Sequence, residues 1–262
     1  LLLLSLVAAP LLLTRLGAEP LDLLEYSYFH EGMRPATTGA VLTDSISSEL
    51  AHGPVQPLLL RLVGGHNPWF LRLASAFFGL GFVLLAWRIV RPVSESAAMG
   101  AALMALVSPV ALYYSRDATP YALAGLCAAG TLALLVAPRR RWTWPAFAAL
   151  HVLGFFAHYG YAAVPAAQLI ALLSVARRRP RDLGHGLIAL SCAAILPVAL
   201  APHLWTMFVS SGIRFSLMSP VYPDSPGLLT FVGTFWTVLS GLPSSPPLAG
   251  AAHAADLGAG AA

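Results

Sequence analysis

The chain contains no lysine, few charged residues of any kind and only two cysteines. Charged residues make up 10% of the sequence, whereas a soluble domain carries about 25%. The hydrophobic fraction is 58% and the mean hydropathy is +0.74, so the composition excludes an ordinary soluble domain and indicates a membrane protein. Cys127 and Cys192 lie inside apolar segments and form neither a disulfide framework nor a zinc-binding spacing.

Several common catalytic and nucleotide-binding motifs are missing as well. The sequence has no Gly-rich phosphate loop, no HExxH and no GxSxG, which argues against a nucleotide-driven pump or a membrane zinc protease of those types. The pI near 9.4 does not point to nucleic acid, because the arginines stand in small groups between apolar segments and form no binding face. We therefore predict no nucleic-acid partner.

Apolar runs of helical length predict an all-α fold, a polytopic membrane helix bundle with about eight spans. The predicted spans, the first of them partial, are Leu1–Leu13, Trp69–Val90, Ala97–Tyr114, Tyr121–Ala137, Trp144–Ala157, Tyr161–Ala176, Gly186–Leu204 and Leu228–Leu242. We assign them to one domain, residues 1–242, with a long extracytoplasmic loop over 14–68. Residues 243–262, rich in Ala, Gly, Ser and Pro, read as a weakly ordered tail. Because the chain begins without methionine inside an apolar run, we interpret it as a piece of a longer protein.

Arginine placement predicts the orientation of these spans. Arginines follow the second, fourth and sixth spans, and because these loops alternate along the chain they share one face, which the positive-inside rule makes cytoplasmic. The opposite face then receives most of the acidic residues, namely Glu19, Asp22, Glu25, Glu31, Asp44, Glu49, Asp117 and Asp224. We predict that the functional site lies on this extracytoplasmic face.

Arg116 and Asp117 stand side by side between two uncharged apolar segments, Ala97–Tyr114 and Tyr121–Ala137. Ionisable side chains near bilayer depth are costly, so such a pair is a functional-site hypothesis by default. The alternative is a short connecting loop whose two charges satisfy each other in interfacial water. The residues of the long loop 14–68 help to decide between a functional site and a simple connecting loop.

That loop carries the carboxylates Asp22 and Glu25 just beyond the first apolar run. A carboxylate there is suited to act as a general base on an acceptor hydroxyl or amine, or to hold a divalent cation; the alternative is a solvated loop with ordinary surface acids. His52 and His158 have the same ambiguity, between packing residues and catalysts or phosphate ligands. The run Val55–Val63, with its polar Gln56 and Arg61, suits a helix lying along the membrane interface.

The string YYSRDATPYAL at residues 113–123 resembles the YYSQEARPYAL segment of bacterial glycosyltransferases of the dolichyl-phosphate-mannose protein mannosyltransferase type. These are integral membrane enzymes of the GT-C class, related to the aminoarabinose transferases that modify lipid A. Four further landmarks follow in the family's order: Leu24-Glu25 for its Asp-Glu, His52-Gly53-Pro54 for its His-Pro-Pro, Leu71–Gly79 for its LRLPSALFG, and Ala157-His158-Tyr159 for its THY. The resemblance extends over residues 16–200.

The resemblance implies a GT-C-like enzyme that transfers a sugar from a polyprenyl-phosphate donor to an envelope glycan, lipid or protein acceptor. It places the enzyme in the bacterial inner membrane, among membrane lipids, with its site on the periplasmic or extracellular face. The residues that it assigns to catalysis are Glu25 or Asp22 as the base, together with Asp117. Those that it assigns to the donor phosphate are Arg116, His158, His52 and Tyr121. A divalent metal, if the enzyme uses one, would be held by Asp117, and a single displacement would invert the anomeric configuration.

Two departures from the family pattern keep other functions open. Leu24 stands where the family has the acid usually assigned as base, and Arg116-Asp117 replaces Gln-Glu, with a charge kept at the second position. A catalytically inactive relative acting as an assembly partner is favoured by Leu24. A transporter or lipid flippase would also place charges against a membrane cavity, but it predicts broken helices in related halves of the chain, and the sequence has no such symmetry.

Overall fold

The computed structural model describes residues 2–47, 53–64, 67–137, 140–176 and 180–210. Every regular element among these residues is helical, which confirms the predicted all-α membrane helix bundle. The helices are α1 (Leu2–Leu13), α2 (Leu23–Met33), α3 (Thr38–Ser47), α4 (Val55–Val63), α5 (Pro68–Val90), α6 (Glu95–Val107), α7 (Pro109–Ser115), α8 (Tyr121–Val136), α9 (Thr143–Ala157), α10 (Ala163–Ala176) and α11 (Pro180–Ser210). A short 3₁₀ turn, Tyr159–Ala162, precedes α10.

Helices occur at seven of the eight predicted spans, and the eighth, Leu228–Leu242, lies outside the described residues. By length and apolarity, two helices of the described part can cross a membrane: α5, and Asp182–Leu200 within α11. A bent pair, α6 with α7, makes a third if it is one span, and the remaining apolar helices are 10–17 residues long. The chain is therefore a membrane protein, and the number of about eight spans stays a prediction.

The predicted span Ala97–Tyr114 is wrong as a single helix. It is broken at Ser108 into α6 and α7, whose axes differ by 62°. The reason is local: Pro109 restricts the residue before it to extended backbone, and Ser108 has φ −60° and ψ 120°. The Ser108 hydroxyl then accepts a hydrogen bond from the Ala111 N–H at 3.4 Å, which starts α7 in a new direction.

The segment 14–68, predicted as a long loop, contains three short helices, α2, α3 and α4. The helix predicted over Val55–Val63 is confirmed, and its position along the interface stays a prediction. Arg61 ties this helix to the end of α2, because its guanidinium donates to the carbonyls of Gly32, Pro35 and Ala36 at 2.7–3.1 Å. The segment is thus a packed helical layer.

Helix α5 is the central element of the compact unit, which runs from Leu1 to His203. It packs against α1, α6, α7 and α8, and its Val83 and Trp87 share a buried cluster with Leu4 and Ala8 of α1. A separate buried cluster comprises Tyr28, Phe29, Leu60, Leu71 and Ala118. This second cluster joins α2, α4, α5 and the turn before α8, and so sets the position of the residues described next. The predicted boundary at residue 242 lies outside the described residues.

Gly53 lies directly before α4, where the chain passes the end of α9. A Cβ added at Gly53 would overlap the main chain of Phe156, so this close approach requires glycine. The proline that the family pattern has at this position would clash in the same way. The contact also brings residue 53 next to the segment that ends at His158.

Candidate functional site

The structure brings the carboxylate of Asp117 next to those of Asp22 and Glu25, which are more than 90 residues away in the sequence. One side-chain oxygen from each of Asp22, Glu25 and Asp117 lies within 4.8 Å of the others. Asp22 is the N-cap of α2, Glu25 lies in the first turn of that helix, and Asp117 belongs to the turn between α7 and α8. The two segments predicted to share one face therefore do meet, while the catalytic roles of these residues stay predictions.

Glu25 is buried, with 1% of its surface exposed, and is held by four N–H groups. Oε1 accepts from Arg72 Nε at 2.6 Å and from the Ala118 N–H at 2.7 Å. Oε2 accepts from Arg72 Nη2 at 2.5 Å and from the Asp22 N–H at 3.0 Å. Burial opposes ionisation, but the hydrogen bonds from Arg72, Asp117 and the two main-chain groups outweigh it, so the pKa of Glu25 lies below its usual value. A carboxylate has about four lone-pair sites, and these donors use them.

Arg72 is the cation of this site, and all five of its N–H donors are used. Besides the two bonds to Glu25, Nη1 donates to the carbonyls of Leu16 and Glu19, each at 3.0 Å, and Nη2 donates to the Pro20 carbonyl at 2.9 Å. The fork-to-fork geometry is the strong form of an arginine–carboxylate pair. Because a guanidinium has only five N–H groups, Arg72 has none to spare for a substrate phosphate.

Asp22 is the exposed member of the cluster. Its Oδ1 accepts the Glu25 N–H at 2.7 Å, which with the reverse bond completes a capping box. Its Oδ2 lies 3.5 Å from the Tyr113 hydroxyl. The cap fixes the carboxylate in one orientation, and because the residue is exposed, Asp22 has the accessibility that Glu25 lacks.

Asp117 is buried, at 6% exposure, and its neighbours disfavour its charged form. Burial, then the contact with Glu25 and the negative charges of Glu25 and Asp22, raise the pKa of Asp117 to about 8. The hydrogen bond from the Thr119 hydroxyl, at 3.1 Å, acts in the opposite direction. The raised pKa of Asp117 favours its protonated form, whereas the pKa of Glu25 is lowered and favours the carboxylate that pairs with Arg72.

We expect the shifted pKa of Asp117 to appear in the pH dependence of stability. A carboxyl whose pKa is raised from 3.8 to about 8 on folding keeps its proton in the folded state after the unfolded chain has lost it, so its contribution to stability is complete below about pH 4 and is lost as pH rises towards 8. Thermal unfolding of the wild type and of Asp117→Asn, between about pH 5 and pH 9, should show the steeper decline in the wild type.

Glu31 is a second acid with a raised pKa, so the test compares how steeply stability falls with pH in the wild type and in Asp117→Asn. Burial raises the pKa of Glu31 to about 7, and this produces a decline of the same sign in both proteins. The difference between the two proteins therefore isolates Asp117. Equal slopes would show that Asp117 is ionised in the folded protein at neutral pH.

The structure describes three of the four residues predicted to bind the donor phosphate, namely Arg116, Tyr121 and His158. Arg116 is half-buried and donates from Nη2 to the Thr14 carbonyl at 2.6 Å. The rings of Tyr121 and His158 are in contact, with centroids 5.0 Å apart. The Nδ1 atom of His158 accepts the Gly160 N–H at 3.0 Å, which places the imidazole proton on Nε2. Burial lowers the pKa of His158. His52 lies outside the described residues.

A divalent cation fits this cluster through two of its three carboxylates. Carboxylate oxygens are the ligands that Mg²⁺, Ca²⁺ and Mn²⁺ prefer. Glu25 already accepts four N–H groups, which leaves Asp117 and Oδ2 of Asp22 as the residues that would hold the ion, although an ion on Oδ2 would prevent Asp22 from acting as the predicted base. The cation would have to displace the proton of Asp117.

Three features of the site were missed from the sequence. Arg72 was assigned no role, although a lone arginine within an apolar span is itself a signal of a paired charge. The capping box was also missed, although the spacing Asp-Leu-Leu-Glu at 22–25 is its signature. Gln56 is buried, at 1% exposure, and donates from Nε2 to the Ala118 carbonyl at 2.7 Å. It fixes the turn next to Asp117, and no local pattern indicated this contact.

Comparison with known proteins identifies a family that matches the chain. The family model described as dolichyl-phosphate-mannose-protein mannosyltransferase matches residues 51–205, more than half of the chain. The matched region contains Arg72, Asp117 and His158 and begins after Asp22 and Glu25. No curated protein and no solved structure matches significantly.

Proposed function

The chain belongs to the dolichyl-phosphate-mannose-protein mannosyltransferase family, which makes it a membrane glycosyltransferase of the GT-C type, and from this premise we propose that it transfers a sugar from a polyprenyl-phosphate donor. The acceptor is an envelope glycan, lipid or protein on the extracytoplasmic face. The single observation that carries the proposal is the accessible Asp22 carboxylate beside a buried, ion-paired acid cluster.

In this proposal Asp22 is the general base. Of the two candidates Asp22 and Glu25, only Asp22 is exposed and has an oxygen that does not cap its own helix, whereas Glu25 accepts four N–H groups inside the protein. A general base must reach the proton that it removes. Asp22 takes the proton from the acceptor hydroxyl or amine, the acceptor atom attacks the anomeric carbon, and the bond from that carbon to the phosphate oxygen breaks. The single displacement inverts the anomeric configuration.

The leaving polyprenyl phosphate needs positive charge, and Arg116 is the residue proposed to supply it. The guanidinium of Arg72 is excluded from this task because its five N–H groups bond to Glu25 and to three carbonyls. Tyr121, His158 and His52 are proposed as further hydrogen-bonding partners of the phosphate. A divalent cation, when held by Asp117, would add positive charge near the leaving group.

Glu25 acts as a positioning residue in this proposal. It links the first turn of α2 to Arg72 of α5 and to the Ala118 N–H, and so keeps Asp22 and Asp117 at a fixed separation. A site built on packed helices holds its geometry better than one built on a mobile loop. The absence of the family's acid at position 24 is then compensated by Asp22, three residues before Glu25.

A transfer assay tests this function directly. We expect the protein in lipid nanodiscs to move radiolabelled sugar from at least one member of a panel of polyprenyl-phosphate sugars to an envelope extract, with inversion at the anomeric carbon. Parallel reactions with EDTA report on a divalent metal. Binding of polyprenyl phosphate with no transfer from any donor would reject the transferase and favour a flippase.

A further inference from the structure

Four rings form a continuous row beside the acidic cluster. Tyr113 and Tyr114 lie near the end of α7, Tyr121 begins α8, and His158 follows α9. Along the row the ring centroids are 5.2, 4.5 and 5.0 Å apart, within the range of directly interacting aromatic pairs, and successive ring planes are inclined by 77°, 44° and 42°. Three separate elements of the fold therefore contribute to one strip of rings.

The row starts at the proposed base. The Tyr113 hydroxyl lies 3.5 Å from Asp22 Oδ2, and at the other end His158 carries its proton on Nε2, because Nδ1 accepts the Gly160 N–H. Tyr113 is 57% exposed, and Tyr114, Tyr121 and His158 are each partly exposed. These rings are therefore accessible to a ligand, unlike the fully buried aromatic side chains of the core.

We propose that this row is the platform on which the sugar ring of the donor stacks, an inference that rests on the proposed transferase function. An aromatic face carries partial negative charge and attracts the weakly positive C–H groups on one face of a sugar ring. The phenol hydroxyls and the imidazole N–H at the edges of the row match the sugar hydroxyls. A hydrocarbon chain would make no use of these polar edges.

The position of the row fits the reaction. A sugar that packs against this row lies between Asp22, at the Tyr113 end, and His158, at the other end. The same row leads towards Tyr121 and His158, the proposed partners of the donor phosphate. Because the rings contact one another, each fixes the orientation of the next, and the platform exists before the substrate binds.

Ring removal at Tyr113 and Tyr114 tests the platform. Affinities are measured in nanodiscs for polyprenyl phosphate carrying mannose, for polyprenyl phosphate carrying aminoarabinose, and for polyprenyl phosphate alone. We expect the wild type to bind a sugar-carrying lipid more tightly than the bare lipid. Tyr113→Leu and Tyr114→Leu should each weaken the sugar-dependent affinity about tenfold and leave bare-lipid affinity unchanged.

Two controls separate the ring from the fold and from the hydroxyl. Tyr114→Phe keeps the stacking face and should retain most of the sugar-dependent affinity, even if Tyr114→Leu fails to fold. Tyr26→Leu removes an exposed tyrosine outside the row, at 55% exposure, and should change neither affinity. The proposal is overturned if the leucine variants weaken both lipids equally, if Tyr26→Leu has the same effect, or if no sugar raises affinity in the wild type.

The result can be told apart from failure of the transferase proposal, because binding is measured without turnover. Ring-dependent sugar binding with no transfer to any acceptor would reject the transferase and retain the platform. Transfer with sugar affinity independent of the rings would reject the platform and retain the transferase.

Discussion

Replacing Asp22 by asparagine should reduce sugar transfer by about 10²–10⁴-fold, the usual contribution of a general base, while the protein stays folded. Asparagine is as good an N-cap as aspartate, so its side-chain oxygen can still accept the Glu25 N–H and preserve the start of α2. It cannot accept a proton from the acceptor. The substitution therefore separates the chemical role of Asp22 from its structural one, and turnover together with thermal unfolding checks it.

Glu19→Gln is the matched control for this prediction. Glu19 is an exposed acid of the same segment, and it contributes only its main-chain carbonyl to Arg72. Its removal should leave turnover within about twofold of the wild type, because no proton transfer involves it. An Asp22→Asn variant with full activity would rule out Asp22 as the base, and an equal loss in Glu19→Gln would indicate a general effect of charge.

Replacing Arg72 by methionine should lower the free energy of unfolding by about 3–5 kcal/mol, the cost of breaking a buried ion pair from one side. The substitution leaves the Glu25 carboxylate buried without its cation and leaves the carbonyls of Leu16, Glu19 and Pro20 without the N–H groups that they accept. Methionine keeps the apolar length of the side chain. Chemical unfolding in detergent micelles measures the change.

The same substitution at the end of α5 is the control. Arg91 pairs with Glu95 at 3.3 Å, with side chains 55% and 63% exposed, and exposed pairs of this kind contribute about 1 kcal/mol or less. Arg91→Met should therefore cost far less than Arg72→Met. Similar losses at the two positions would show that the five hydrogen bonds of Arg72 are not formed in the protein.

The composition and the apolar runs were sufficient to predict the bundle. In lipid the backbone N–H and C=O groups of an apolar segment must bond to one another, and an α-helix satisfies them within the segment. The break at Ser108 was not predicted, since proline is often tolerated within membrane helices and only the Ser-Pro pair with its cap turns the chain here. Helices α2 and α3 within 14–68 were missed because they are short and only partly apolar.

The convergence of the first segment with the Arg-Asp turn was predictable from topology, since segments on the same face of a membrane can meet. The separate roles of Asp22 and Glu25 were not, because they depend on which carboxylate is buried. That difference comes from Arg72, whose guanidinium donates two hydrogen bonds to the buried Glu25, while Asp22 stays exposed. A lone arginine within an apolar span indicates that a partner charge exists, but no local pattern identifies Glu25 as that partner.

The pairing of Glu25 with Arg72 has a consequence for biosynthesis. An arginine within an apolar segment opposes transfer of that segment from the translocon into lipid. Here the counter-charge lies upstream, so the ribosome has already made Glu25 when the codon for Arg72 is reached. Glu25 is therefore available to pair with Arg72 while α5 is still in the translocon. A chain lacking Glu25 would have to insert the same helix with an unpaired arginine.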